Sequence, residues 1–321
     1  MYSKLLKSWQ ESPAHLLLLS KFCNGDSPER YNKADYWEVA LKGEPTKAIQ
    51  QFINDGMLEP ADLHELINYK FKVSELVLLL KEQRLKITGR KDALIQRLIE
   101  NDLNKMRAVT KGLNLYRCTE KGKQLAENYL NEEKTKREIV MHKVTNLLEN
   151  KEYSSAASIV AQYEAKQVFS RGLGIDWRNY DIASDVESLK TIFEATPKIL
   201  EGMDENHLKP LRFAAGMMHL WGTNNSKEWL QNTLETGIHL DSDATCRMLL
   251  FYAIHLRNMK NFREAGIKTI EILGVNDENT CSECQKISGK KYQLEYLPEL
   301  PYCKCTCAMG CRCTTVMSDF K

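Results

Sequence analysis

The sequence has no long hydrophobic run, no signal-like start and almost no net charge. Apolar runs such as residues 16–19 and 77–80 are far shorter than the stretch of about 18 apolar residues that a membrane-spanning helix needs. The first seven residues lack the apolar core and cleavage site of a secretory signal peptide. We therefore expect a cytoplasmic protein with no membrane association. Its 45 basic and 43 acidic residues give a formal charge of +2, so a nucleic-acid-binding surface requires a local concentration of charge.

The short motifs that mark several enzyme classes are also missing. There is no G-x-x-x-x-G-K-[ST] phosphate loop, no H-E-x-x-H pair, no nucleophile elbow and no glycine-rich dinucleotide fingerprint. Scattered acidic residues are spaced as on solvated helix faces: Glu132, Glu133, Asp176, Asp181 and Asp185. We therefore expect a binding protein rather than an enzyme. The alternative is a metal-dependent nuclease whose site lies within residues 136–274.

Helical periodicity is abundant, whereas alternating strand patterns are scarce. Apolar residues recur every three or four positions across most of the chain, which predicts a mainly α fold. From 136 to 274 the pattern predicts paired helices with short polar joints, over residues 206–221, 226–237, 243–256 and 261–273. This region resembles a tetratricopeptide-like helical array, although it lacks a clean period of about 34 residues. An irregular helical bundle is the alternative.

Residues 71–102 form a locally basic segment that predicts two helices about a Thr-Gly turn. Each predicted helix has an apolar stripe that faces the other, and two apolar residues of the connecting loop cover the core between them. These residues are Leu76, Leu79 and Leu80 in the first helix, Leu94, Ile95 and Leu98 in the second, and Leu85 and Ile87 in the loop. Between residues 70 and 123 there are 14 basic and 6 acidic residues. This stretch therefore carries a charge of +8 in a chain whose total is +2.

The order of residues in this segment resembles the SAP family, a small helix, extended loop and helix that binds DNA. The resemblance is carried by a Val-x-Glu-Leu opening at Val73, a Gly-x-Lys turn at Gly89, and a Leu-x-x-Arg-Leu close from Leu94 to Leu98. One departure is Arg84, which stands where the family usually has glycine at the end of the first helix. A left-handed cap there costs a non-glycine residue about 1 kcal/mol.

The turn before the second helix is the expected DNA contact. Backbone N–H groups at Gly89 and Arg90 lie beside the positive end of a helix dipole, which favours a phosphate group. The predicted DNA-binding residues are Arg84, Lys86, Gly89, Arg90, Lys91 and Arg97. Two alternatives remain: the segment is a solvated basic hairpin that docks on the neighbouring helices, or Arg97 pairs internally with Glu75 or Glu100.

Seven of the ten cysteines lie close together near the C-terminal end. They are Cys281, Cys284, Cys303, Cys305, Cys307, Cys311 and Cys313. A C-x2-C pair on a tight turn followed by further cysteines is typical of a Zn²⁺ site, and no histidine follows His255, so we expect thiolate ligands alone. Seven thiolates exceed one four-ligand site and are one short of two separate sites. Either some cysteines are spare or one thiolate bridges two ions. An iron–sulfur cluster, disulfides or unliganded thiols are the alternatives.

Residues 279–314 also resemble the C-terminal zinc knuckle of phage Mu F-type head-morphogenesis proteins. The resemblance is carried by the C-x2-C pair, by Ser-Gly-Lys-Lys-Tyr at 288–292, by Leu-Pro at 300–301 and by Cys-Arg-Cys-Thr at 311–314. The His-Pro of that family is absent, and Cys303, Cys305 and Cys307 stand in its place. The resemblance implies a phage, prophage or bacterial origin.

We therefore predict a mainly α chain with five segments. These are an N-terminal helical region (1–68), the SAP-like motif (69–103), a basic connector with a winged-helix-like strand, turn and helix at 115–126 (104–135), the helical-repeat-like domain (136–274) and a zinc module (275–321). The expected function is that of a DNA-binding adaptor. It would contact duplex phosphates through the SAP-like motif and bind a protein partner on the helical array. The zinc ion would stabilise the fold of the C-terminal module. A phage or prophage morphogenesis or structural protein is the alternative.

Overall fold

The computed structural model describes residues 8–172, 174–223, 225–230 and 236–318. Within these ranges the mainly helical fold class is confirmed. The α-helices in chain order are α1 (Pro13–Ser20), α2 (Asp35–Leu41), α3 (Pro45–Asn54), α4 (Leu63–Lys70), α5 (Val73–Glu82), α6 (Lys91–Asn101), α7 (Leu103–Thr110), α8 (Glu120–Glu149), α9 (Tyr153–Glu164), α10 (Ala183–Glu194), α11 (Glu205–Trp221), α12 (Ser242–Glu264) and α13 (Ser282–Ile287). The strands are β1 (Leu58–Pro60), β2 (Tyr116–Cys118), β3 (Thr269–Leu273), β4 (Lys291–Gln293) and β5 (Thr314–Met317).

The chain divides into two compact units, Met1–Arg137 and Glu138–Lys321. None of the helices within the described ranges combines the length and the apolar character that crossing a membrane requires.

In the first unit, β1 and β2 pair antiparallel, and α4 to α7 lie between them in the sequence. Leu58 pairs with Cys118 and Pro60 pairs with Tyr116. The strand and helix predicted at 115–126 are present as β2 and the start of α8, but the predicted turn is not, because only Thr119 separates the two elements. The backbone approach there is close, because a Cβ at Gly122 would lie 2.1 Å from the carbonyl oxygen of Met57. Glycine is therefore required where α8 begins against the end of α3 and the start of β1.

The four helices α4 to α7 share one core. The two predicted stripes pack on each other, with Leu76 and Leu80 of α5 against Leu94, Ile95 and Leu98 of α6, all at most 1% exposed. Ile67 of α4 and Met106 of α7 complete this core. The helix pair therefore does not depend on a miniature core of its own, because the flanking helices enlarge the buried apolar surface.

In the second unit, α10 packs against α9, α11 and α12. The predicted helix at 206–221 is present as α11, but the predicted separate helices at 243–256 and 261–273 are wrong. A single helix, α12, covers Ser242–Glu264, and Thr269–Leu273 is strand β3. In β3 the side chains of Ile270 and Ile272 are buried, whereas that of Glu271 between them is only half-buried. This alternation is typical of a strand. Of the predicted helix at 226–237, a short 3-10 turn at Ser226–Glu228 is present, and residues 231–235 lie outside the described ranges.

The cysteine-bearing segment is built on a three-stranded antiparallel sheet with β3 at its centre. Ile270 lies opposite Tyr292 of β4 and Met317 of β5. The predicted boundary at residue 275 therefore falls between β3 and the strands that pair with it. Four buried cysteines share one apolar cluster with residues of α10, α11 and α12: Cys284, Cys305, Cys307 and Cys311. The cysteine segment is consequently part of the core of the second unit.

Candidate functional site

The first helix of the SAP-like segment ends in a left-handed residue, as its family pattern requires. Arg84 has φ of 55°. Its N–H donates to the carbonyl of Lys81 at 3.0 Å, and the N–H of Leu85 donates to Leu80 at 2.8 Å. This pair of bonds is the Schellman motif, with Arg84 at the position where glycine is preferred. Leu85 packs on the core of α4 to α7, which fixes the direction of the following loop.

The second helix begins at an exposed turn with free backbone donors. Gly89 has φ of 136°, a region that favours glycine, and Arg90 is the N-cap of α6 in an extended conformation. Within the described ranges, the backbone N–H groups of Gly89, Arg90 and Lys91 have no acceptor. The side chains of Lys86 and Arg90 are exposed. This arrangement offers N–H donors and positive charge to an anion at a helix N-terminus.

Two of the predicted DNA-binding side chains are instead engaged within the protein. The ammonium of Lys91 donates to the carbonyl of Asn68 at 2.6 Å. The guanidinium of Arg97 donates to the carbonyls of Lys86 and Thr88. Arg97 thus pairs internally, with loop carbonyls. Arg97 therefore holds the loop that carries Lys86 and Gly89, whereas Lys91 ties the start of α6 to α4.

The suggested carboxylate partners of Arg97 make other bonds. Glu75 accepts the backbone N–H of Lys72 at 2.6 Å and so caps the start of α5. Glu100 accepts from the side-chain amide of Gln96 at 2.8 Å. Both acids are therefore occupied in stabilising the two helices themselves.

Six of the seven clustered cysteines come together in two overlapping groups. Cys281 is the N-cap of α13, and Cys284 lies within its first turn. The sulfurs of Cys281, Cys284, Cys305 and Cys307 lie within 4.8 Å of one another, and so do those of Cys284, Cys311 and Cys313. Two sulfurs bound at about 2.3 Å to one tetrahedral Zn²⁺ are about 3.8 Å apart, so each group would contract to ligand distances when an ion binds. Cys303 is exposed and belongs to neither group.

Backbone N–H groups point at these sulfurs. The N–H of Cys281 donates to Cys307 at 3.2 Å, that of Thr306 to Cys281 at 3.4 Å, and that of Cys307 to Cys305 at 3.4 Å. Burial raises the pKa of Cys281, but N–H donation from Cys284 and Thr306 outweighs it and lowers the pKa to about 6. Donors of this kind stabilise thiolates, the form in which cysteine binds a metal. The donor set therefore fits a thiophilic metal ion.

An ion pair joins the two ends of the cysteine segment. Arg312 binds Asp277 through two hydrogen bonds of 2.7 and 2.6 Å, and it also donates to the hydroxyl of Thr280 at 3.2 Å. The guanidinium beside Asp277 holds the pKa of that carboxyl well below its usual range. The pair connects the residues just before Cys281 with the Cys-Arg-Cys sequence at 311–313. Sequence reasoning missed this contact, and the only local signal was an arginine between two cysteines.

Comparison with known proteins identifies one part of the chain. A family model of the SAP domain matches residues 70–103, which confirms the resemblance predicted for residues 71–102. This chain therefore contains a SAP domain, formed by α5, α6 and the loop between them, and the domain implies nucleic-acid binding in general terms. Comparison with curated proteins and with solved structures gave no match.

Proposed function

We propose that this protein binds the phosphate backbone of duplex DNA through the turn at the start of α6. The observation that carries the proposal is the SAP match over residues 70–103, together with the unpaired N–H groups of Gly89 and Arg90. Phosphate contacts of this kind position a protein on DNA without reading sequence. We therefore expect affinity that depends on salt and little on sequence.

The predicted contact residues divide into two roles. Arg84, Lys86 and Arg90 are exposed and free to contact phosphates directly. Arg97 holds the loop through its carbonyls, and Lys91 ties the start of α6 to the carbonyl of Asn68 in α4. Both residues support the contact by keeping the turn in place. Gly89 supplies a backbone donor in a conformation that a side chain would strain.

We further propose that Cys281, Cys284, Cys305 and Cys307 hold a structural Zn²⁺. Four thiolates leave no open coordination position, so the ion would stabilise the fold and not take part in a reaction. The helices of residues 136–274, which we take as a repeat-like array, would then present a surface to a protein partner. Together these roles describe a DNA-binding adaptor.

A titration with two matched double variants tests the DNA contact. For the unaltered chain, fluorescence anisotropy with a labelled duplex should give a slope of about −3 to −5 for log affinity against log salt, because each neutralised phosphate contributes about −0.9. Lys86→Ala with Arg90→Ala should weaken binding to all sequences alike and make the slope shallower by about 2. The control, Lys21→Ala with Lys33→Ala, removes the same charge from other exposed positions.

Equal losses in the two double variants would mean that overall charge, and not this turn, attracts DNA. No loss in the Lys86 and Arg90 variant, with its helical circular dichroism intact, would overturn the proposal. Hydrolysis of the duplex during the titration would instead favour the nuclease alternative.

A phage morphogenesis or structural role is the second candidate. This candidate is favoured by the two cysteine motifs that resemble the head-protein knuckle, because they lie close together in space. Cys284 of the C-x2-C pair lies in one group with Cys311 and Cys313 of the Cys-Arg-Cys sequence. Copurification with capsid or portal proteins, combined with no measurable affinity for duplex DNA, would favour this candidate over the adaptor.

A further inference from the structure

Cys284 belongs to both groups of sulfur atoms. Its sulfur lies within 4.8 Å of those of Cys281, Cys305 and Cys307, and within the same distance of those of Cys311 and Cys313. It is 4.0 Å from the sulfur of Cys311, and its side chain is 1% exposed. A single ion bound by the first group leaves Cys311 and Cys313 beside one of its ligands with no metal of their own.

The second group is too small to hold a separate ion. A structural zinc takes four ligands, and this group offers three, one of which is shared. Cys305 offers a fourth, because its sulfur lies within 4.8 Å of that of the shared Cys284 and its side chain is buried in the same apolar cluster as Cys311. Cys303 is exposed and outside both groups. Two four-coordinate ions need eight metal–sulfur bonds, and six thiolates supply eight when two of them bridge.

We propose that the cysteine segment holds two zinc ions in one six-thiolate cluster, with Cys284 and Cys305 as the bridging ligands. Cys281 and Cys307 complete the first ion, and Cys311 and Cys313 complete the second. This inference rests on the proposed zinc site and deepens it. When the ions bind, each of the six thiols gives its proton to solvent, and the cluster carries a net charge of −2.

The surroundings support a cluster that spans both groups. The ion pair of Asp277 and Arg312 joins the chain before Cys281 to the chain between Cys311 and Cys313. It therefore holds the two ends of the cysteine segment next to each other. The Nε of Arg312 is buried and has no hydrogen-bond partner within the described ranges. A buried N–H without an acceptor is costly, and a thiolate of the cluster would supply the acceptor that it lacks.

The test measures metal content and bridging in the full-length protein. Elemental analysis after gel filtration should give two zinc ions per chain and no acid-labile sulfide. After replacement of zinc by ¹¹³Cd, the cadmium spectrum should show two resonances with a mutual scalar coupling, because two ions that share a sulfur are coupled through it. Cys303→Ser should leave both results unchanged, whereas Cys313→Ser should lower the stoichiometry from two towards one.

The other outcomes separate this inference from the function on which it rests. One zinc ion per chain, or two cadmium resonances without coupling, would overturn the shared cluster and leave a single structural zinc. No bound metal, or iron with sulfide, would overturn both the cluster and the proposed zinc site. The cadmium spectrum of the unaltered chain needs no variant, so a failure of Cys313→Ser to fold would not remove the test.

Discussion

At the scale of single residues, Arg84 combines a conformational cost with a proposed DNA contact. It occupies a left-handed position with φ of 55°, where a non-glycine residue costs about 1 kcal/mol. Its guanidinium is exposed beside the loop that carries Lys86. The sequence pattern alone left open whether the helix ends differently, and the structure shows that the family's cap is kept.

Two substitutions at this position separate the two effects. Arg84→Gly should raise the free energy of unfolding of α5 by about 1 kcal/mol, because glycine adopts the left-handed conformation without the strain of a Cβ. Amide hydrogen exchange measures this gain. Arg84→Ala keeps the strained backbone and should give no such gain. Both variants lose the charge, so both should lower the salt dependence of duplex binding by about 1 in slope. Equal exchange rates in the two variants would show that the left-handed cap is not a source of strain.

At the scale of the elements, periodicity predicted helices well and missed a strand. The spacing of Leu76 and Leu80 identified the buried face of α5, because a solvent-exposed helix with one buried side repeats at three and four residues. The alternation of Ile270 and Ile272 is equally regular, but it covers only five residues and follows a long helix. A short strand is recognised by its partners, and β4 and β5 lie some 20 to 45 residues further along the chain.

The cysteine cluster shows the same limit. The C-x2-C spacing of Cys281 and Cys284 predicted that both bind one ion, since a tight turn brings such a pair together. Which later cysteines join them depends on the path of residues 285–310, and no local pattern specifies it. The exclusion of Cys303 and the sharing of Cys284 are therefore results of the three-dimensional fold.

Metal removal should affect more than the cysteine segment. Cys284 and Cys311 share an apolar cluster with Met248 and Leu249 of α12, so loss of the proposed zinc would loosen packing on that helix as well. We expect a chelator to speed amide exchange in β4, β5 and α13 strongly and in α12 measurably. Exchange in α5 and α6 should not change. Fast exchange confined to residues 275–318 would contradict the shared core.

At the scale of the whole molecule, the two proposed functions lie in different units. The turn that we propose contacts DNA lies in Met1–Arg137, and all the candidate metal ligands lie in Glu138–Lys321. The charge distribution agrees with this division, because residues 70–123 carry +8 in a chain of +2. The near-neutral total charge therefore conceals a basic region that contains the SAP domain.

The most direct test of the central claim is to map the DNA contact on the full-length, isotope-labelled protein by nuclear magnetic resonance. Addition of a short duplex should shift the backbone amide signals of Gly89, Arg90 and Lys91 most, because their N–H groups become hydrogen-bond donors to a phosphate. Amides of α13 and β5 serve as the internal control and should keep their positions. Saturable binding with shifts elsewhere and none at these three amides would contradict the account.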